Sequence, residues 1–296
     1  MKHPIFSTTL FGLLTLFISA ICLAQTGQEI KTNHFTLFSD APSEKLNKLV
    51  RELEYFRALA AKLANIRRMD TEKPLRLLVL DDIENIYSAD RPTAGFSKET
   101  SEAYYIVADF SDKERARGFL FRELVRHWNT IQGYELPPWY NTGLANVLAT
   151  MEFKRKEALF GGPPPGALQV AGRTRLRGLE QIFTSDPTIG GSRKGTTQFQ
   201  SFSWLLMHYL RFGKHDLNKD LRQYLKLWNN PETRETAFDQ GFSISHEDLK
   251  LALRKYIQSR LPVWNIPLKK LDVKVDMKSR DLSEAGFKEV LAPLIN

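Results

Sequence analysis

The order of apolar patterns in the first third constrains this chain most. "HFTLFSD" (34–40) alternates apolar and polar side chains, the period of a half-buried strand. In "PSEKLNKLVRELEYFRALAAKLA" (42–64), Leu46, Leu49, Leu53, Phe56, Leu59 and Leu63 recur at three and four residues. That spacing predicts an amphipathic helix, and Ser43 before Glu44 suits its start. "LRLLVL" (75–80) is a short continuous apolar run, as a buried strand would be. "TAGFSK" (93–98) and "AYYIVAD" (103–109) read as a hairpin. Strands and a helix must cover one another's apolar faces, so this region is expected to form a small α/β unit around one core.

From Lys113 the pattern turns helical. "ERARGFLFRELVRHWNTIQ" (114–132) places Phe121, Leu124, Val125, Trp128 and Ile131 on one stripe. Further helices are expected over 139–155, 174–184, 198–212, 217–228 and 245–259, the last capped by Ser245 with Asp248 three residues on. "GGPPPG" (161–166) breaks helical structure. Beyond Pro262, "LDVKVDM" (271–277) alternates like a strand and a short helix follows over 282–292. The expected fold class is α+β. Its α/β sheet unit spans 25–112, a mostly helical part spans 113–261, and a tail spans 262–296. No internal repeat or extended low-complexity segment is present.

The first 24 residues are expected to be a signal peptide. A short basic start precedes the apolar run "LFGLLTLFISAICL" (10–23), and Cys22-Leu23-Ala24 suits cleavage before Gln25. The run is too short for a comfortable membrane span, so no stable span is expected after cleavage. The expected location is periplasmic or secreted. Cys22 is the only cysteine, so the mature chain would be held by its core without disulfides, and thiol catalysis is excluded. Hydrophobic residues make up 42% and charged residues 26%, which argues against long disorder. Lys2 is the sole charged residue in 1–24, so the net charge of +8 becomes +7. A basic exported protein suits an anionic partner, although a solvated surface has the same composition. Aromatic residues do not interleave with a basic stripe, so no nucleic-acid partner is expected.

The chemistry concentrates in "FRELVRHWN" (121–129). On a helix, Arg122 and Arg126 share a face, and Glu123 lies about 100° round from Arg122. The apolar stripe lies elsewhere, so this polar trio is aimed away from the main core contact. The spacing matches His-Glu-x-x-His, in which two imidazoles grip zinc and the glutamate works on its bound water. Here an arginine stands at each histidine position.

This helix, taken with "LPPWYNTGLA" (136–145), resembles the peptidase MA-like family of bacterial exported proteins, gluzincin-type zinc metallopeptidases. "FQSFSWLLMHYLRFG" (199–213) is similar to the family's later Ser-Trp helix. The likeness spans about 33–260 and is specific over 119–151. It implies a zincin-like architecture. Position by position, Arg122 and Arg126 replace the two histidine ligands and Glu123 keeps the general-base position. Thr142 replaces the ligand glutamate, and His127 matches a histidine that trails the motif without being a primary ligand.

Arginine stays protonated and offers no lone pair to a cation. Threonine alone is a poor zinc ligand. Without a metal-bound water, Glu123 has no acidic water to activate. The expectation is a pseudoenzyme with neither metal nor cofactor, acting in binding or envelope assembly. Its partner would be an envelope protein, a peptide or an anionic ligand. Two readings of the arginines stay open: a structural plug of the vanished metal cavity, or an anion pocket in which Arg122, Arg126, Glu123 and His127 contact the ligand. The alternative class is an active hydrolase or peptidase with a relocated metal site or a different mechanism, although His34, His127, His208, His215 and His246 include no pair with zinc-like spacing. "IGGSRKGTT" (189–197) has phosphate-loop glycine spacing, but Thr196 stands where the lysine belongs, so a basic surface loop is the better reading.

Overall fold

In a computed structural model, the structure describes residues 27–81, 83, 94–184, 193–213 and 216–295. The expected signal peptide, His215 and the glycine-rich start of the 189–197 segment lie outside the described residues.

Two strands open the described residues, β1 (Gly27–Lys31) and β2 (Thr36–Ser39), followed by helix α1 (Ser43–Ala64). Next come β3 (Leu75–Leu80) and the hairpin β4 (Gly95–Glu99) and β5 (Tyr104–Asp109). Helices α2 (Lys113–Thr130) and α3 (Pro138–Ala149) follow, then the short strands β6 (Glu152–Phe153) and β7 (Glu157–Phe160). Helices α4 (Ala167–Thr174), α5 (Arg193–Phe212), α6 (Asn218–Trp228), α7 (Ala237–Gly241) and α8 (His246–Ile257) come next. Strands β8 (Trp264–Pro267) and β9 (Lys278–Leu282) and helix α9 (Glu284–Ile295) close the chain. The fold is α+β, as expected.

The main sheet runs β4-β5-β3-β2-β1-β9. Strands β2, β3 and β5 are parallel, while β4, β1 and β9 each pair antiparallel with their neighbours. Alternation along β3 and β5 sends Leu77, Val79, Ile106 and Ala108 to one face, toward α1 and α2. Leu78, Leu80, Tyr105 and Val107 face the other side, where Phe287 and Leu294 of α9 cover them. A continuous apolar run such as "LRLLVL" is what a strand buried on both faces requires.

Helix α1 buries Leu46, Leu49, Leu53, Phe56 and Leu59, and Leu63 is half-buried. In α2, Phe121, Leu124, Val125 and Trp128 are fully buried. The two helices meet where Phe56 stacks on Phe121, with centroids 3.9 Å apart and planes 3° from parallel. One apolar cluster continues from this contact through Trp139 of α3 to Trp204 of α5 and Trp228 of α6. It crosses the expected boundary at 112/113.

Three sequence expectations are corrected. The helix expected over 139–155 ends at Ala149, because the Thr150 hydroxyl donates to the Val147 carbonyl and accepts the Gly161 N–H, and β6 and β7 then form a hairpin. The helix expected over 174–184 is interrupted, because Arg175, Leu176 and Gly178 take left-handed backbone, and a 3-10 turn covers Leu179–Phe183. "LDVKVDM" forms no strand, although its Lys274 carbonyl accepts from Asn33. The residues just after it form β9, because that segment is the one that meets the free edge of β1. The tail divides between two sheets: β8 joins β6 and β7, and β9 joins the main sheet.

His208 on α5 is fully buried, with its Nε2 placed to donate to the Pro262 carbonyl (3.2 Å) and its Nδ1 to accept from the Tyr256 hydroxyl (2.8 Å). Burial pushes its pKa down to about 4, against the backbone hydrogen bonds of Gly161 and Pro262, which favour the charged form. The unfolded chain takes up this proton near pH 6.5. The stability owed to the neutral ring is therefore complete above about pH 6.5 and is lost as pH falls toward the folded value. The slope approaches about 1.36 kcal/mol per pH unit. Urea midpoints measured between pH 4 and pH 7 should fall more steeply on acidification for the wild type than for His208→Gln. Equal slopes would count against this role.

Candidate functional site

Asp112 fixes the start of α2 by accepting the backbone N–H groups of Glu114 and Arg115, both at 3.1 Å. The helix lies with its apolar stripe on α1 and the sheet. Its register then carries Arg122, Glu123 and Arg126 toward the edge strand β4.

The structure brings those three together. Glu123 is only 7% exposed. Its Oε1 accepts from Arg126 Nη1 at 2.9 Å and from Arg122 Nε at 3.4 Å, while its Oε2 lies 3.5 Å from the Ser97 hydroxyl of β4. The trio does point away from the main apolar contact. It sits against the sheet edge, however, with Glu123 shielded by its neighbours. The guanidinium side chains of Arg122 and Arg126 keep 27% and 30% of their surface in water. Arg122 also lies over the Phe119 ring, 5.3 Å from its centroid. Burial, followed by the neighbouring Arg126, lowers the Arg122 pKa, and Glu123 opposes the shift. The group remains charged at working pH.

Thr142 lies on the next helix. Pro138 occupies the first turn of α3, and Trp139 buries its ring and donates Nε1–H to the Tyr224 hydroxyl at 2.9 Å. Asn129 on α2 donates to Asn141 on α3 at 2.7 Å, which ties the two helices together beside Thr142. Gly143 faces α5 so closely that a β-carbon there would meet the Ser203 carbonyl oxygen at 2.3 Å. This close crossing gives "NTGLA" a packing reason for its glycine. Thr142 itself is 9% exposed. Among the described residues, no hydrogen bond or ion pair joins it to Arg122, Glu123 or Arg126.

His127 follows Glu123 by four residues on α2, and among the described residues no side-chain hydrogen bond or ion pair joins it to the trio. Its ring is 5% exposed and stacks on Tyr104, with centroids 4.0 Å apart. It borders a cleft of about 500 Å³ that also touches Glu99 and Lys73. Neither ring nitrogen has a hydrogen-bond partner among the described residues. Burial lowers its pKa, against the pull of Glu99. His208, the other histidine considered for a relocated site, has both ring nitrogens engaged elsewhere.

Ser97, Tyr104 and Phe119 were not singled out by the sequence. The hairpin pattern places Ser97 and Glu99 on one face of β4. Nothing local says that this face meets α2.

The arrangement concentrates two cations on one carboxylate oxygen. It can hold a second anion, because each guanidinium can form paired, charge-assisted hydrogen bonds to carboxylate or phosphate. No family model, curated protein or solved structure matches this chain.

Removing the shared carboxylate leaves two adjacent half-buried guanidiniums without their counter-charge. Glu123→Ala should lower unfolding stability by about 1–3 kcal/mol, and Glu123→Gln, which keeps an acceptor, by less. Urea titration of both variants checks this. An Ala variant as stable as wild type would show that the carboxylate does not hold the pair.

Proposed function

We propose that this protein is an exported, catalytically inactive relative of gluzincin-type metallopeptidases that binds a carboxylate-bearing ligand, such as a peptide C-terminus, at Arg122 and Arg126. One observation carries the reading. Among the described residues, Arg122 engages only its Nε–H and Arg126 only Nη1 in hydrogen bonds, both to the same oxygen of Glu123. The remaining N–H groups of two part-exposed guanidiniums are left for an incoming anion. A pure structural plug would be expected to use those donors internally.

The peptidase ancestry rests on the residue pattern of 119–151. It is supported by the succession of a mixed sheet, the α2 helix bearing Arg122, Glu123 and Arg126, and the closely packed α3 helix bearing Thr142. The antiparallel edge strand β4 beside Glu123 suits a zincin-like cleft. Inactivity follows from the chemistry of the substituted positions. Arginine cannot donate electron density to a cation, so neither substituted position can serve as a metal ligand. Export rests on the leader-like residues 1–24. No helix of the described residues is long and apolar enough to cross a membrane.

The test is calorimetric titration of the mature chain with short peptides bearing either a free or an amidated C-terminus. The free carboxylate should bind at least about tenfold tighter, the equivalent of about 1.4 kcal/mol. The Arg122→Gln, Arg126→Gln double variant should lose that preference while keeping its circular dichroism spectrum. Indifference to amidation would overturn the anion pocket. One equivalent of zinc in purified protein, with peptide hydrolysis lost to a chelator and restored by zinc, would overturn inactivity.

A further inference from the structure

A broad concavity lies away from Arg122 and Arg126. It has a volume of about 1430 Å³ and opens between α1, the β6–β7 turn and the segment after β8. Cations stand on each of its walls. Lys48 and Arg51 project from α1, three residues apart and so on one helix face. Lys154, Arg155 and Lys156 form the turn opposite, and Lys269 stands on the third side. Lys48 pairs with Glu52 at 3.7 Å. The other five have no acid within 4.0 Å among the described residues.

The floor differs from the walls. Tyr55 and Phe153 lie with ring centroids 6.1 Å apart, both half-buried, next to Leu268 and Leu271. Three acids, Glu44, Glu52 and Glu157, also border the cleft. Glu52 is nearly fully buried, and burial raises its pKa against Arg117 and Lys48. Glu157 already accepts from the Asn265 amide.

We propose that this cleft is a second binding site, which takes an acidic peptide segment of a partner protein carrying apolar side chains among its carboxylates. Five unpaired cations on facing walls call for several negative charges at once. The half-exposed aromatic and aliphatic floor calls for apolar side chains between them, since burying that surface adds to affinity. A polyphosphate or nucleic-acid backbone supplies the charges. It has no aliphatic groups for the floor. The site is independent of the arginine pair on α2.

The test is fluorescence anisotropy of the mature chain with a labelled decapeptide of alternating Glu and Leu. Comparison ligands are the Gln–Leu and Glu–Ser versions and a polyphosphate of equal charge. The Glu–Leu peptide should bind at least about tenfold tighter than each of the others and should weaken with added salt. The triple variant Lys154→Gln, Arg155→Gln, Lys156→Gln alters exposed turn residues only, so it should melt within a few degrees of wild type. It should bind the peptide at least about tenfold more weakly. The Arg122→Gln, Arg126→Gln variant should bind as wild type does, which separates this site from the first. No binding of the Glu–Leu peptide, unchanged binding by the triple variant, or polyphosphate binding as tight as the peptide's would each overturn the proposal.

Discussion

The contact between α1 and α2 organises the molecule. Phe56 and Phe121 stack nearly parallel at 3.9 Å, and Trp128 lies 6.1 Å from Phe56, all fully buried. Aromatic surfaces of this size dominate core energetics, so the rotation of α2 about its axis is set here. Once Phe121, Leu124, Val125 and Trp128 face inward, helical geometry leaves Arg122, Glu123 and Arg126 nowhere to go except toward β4. The polar site is thus a by-product of the apolar stripe. Its position is fixed by the same packing that fixes the core.

That placement carries an electrostatic cost. Two guanidiniums share one oxygen of Glu123, and burial first, with the neighbouring Arg126 second, lowers the Arg122 pKa despite its acid neighbour. Pairs exposed to this degree contribute about 0–1 kcal/mol each. Intact, the arrangement therefore adds little net stability, whereas removing its carboxylate alone costs more because it strands two guanidiniums, and it leaves positive charge uncompensated at a fixed place. A site built for stability alone would do better with apolar residues of similar volume.

Much of this was legible because the strongest signals were local. The period of α1, the stripe of α2, the β4–β5 hairpin and the Ser245 cap, which accepts from Asp248 N–H, all follow from residues within a few turns of one another. The elements missed depend on distant partners. Strand β1 exists because β2 and β9 flank it, and β6 to β8 form a sheet only because Trp264–Pro267 returns to β7. The site follows the same rule. The motif spacing identified Arg122, Glu123 and Arg126 as neighbours, because one helix carries them. Ser97 and Tyr104 arrive from across the sheet, and Thr142 is set by how α3 crosses α2 and α5, which no spacing encodes.

Strand β9 has a temporal implication. It pairs with β1 from Gly27–Leu282 to Lys31–Lys278, and the Arg280 side chain meets Glu29 across 251 residues of sequence. Loop closure over such a span is slow relative to helix formation. Until β9 and α9 are available, β1 has an open edge, and the sheet face later covered by α9 stays bare. An order of assembly is therefore built into the topology, with the first strand waiting for the last.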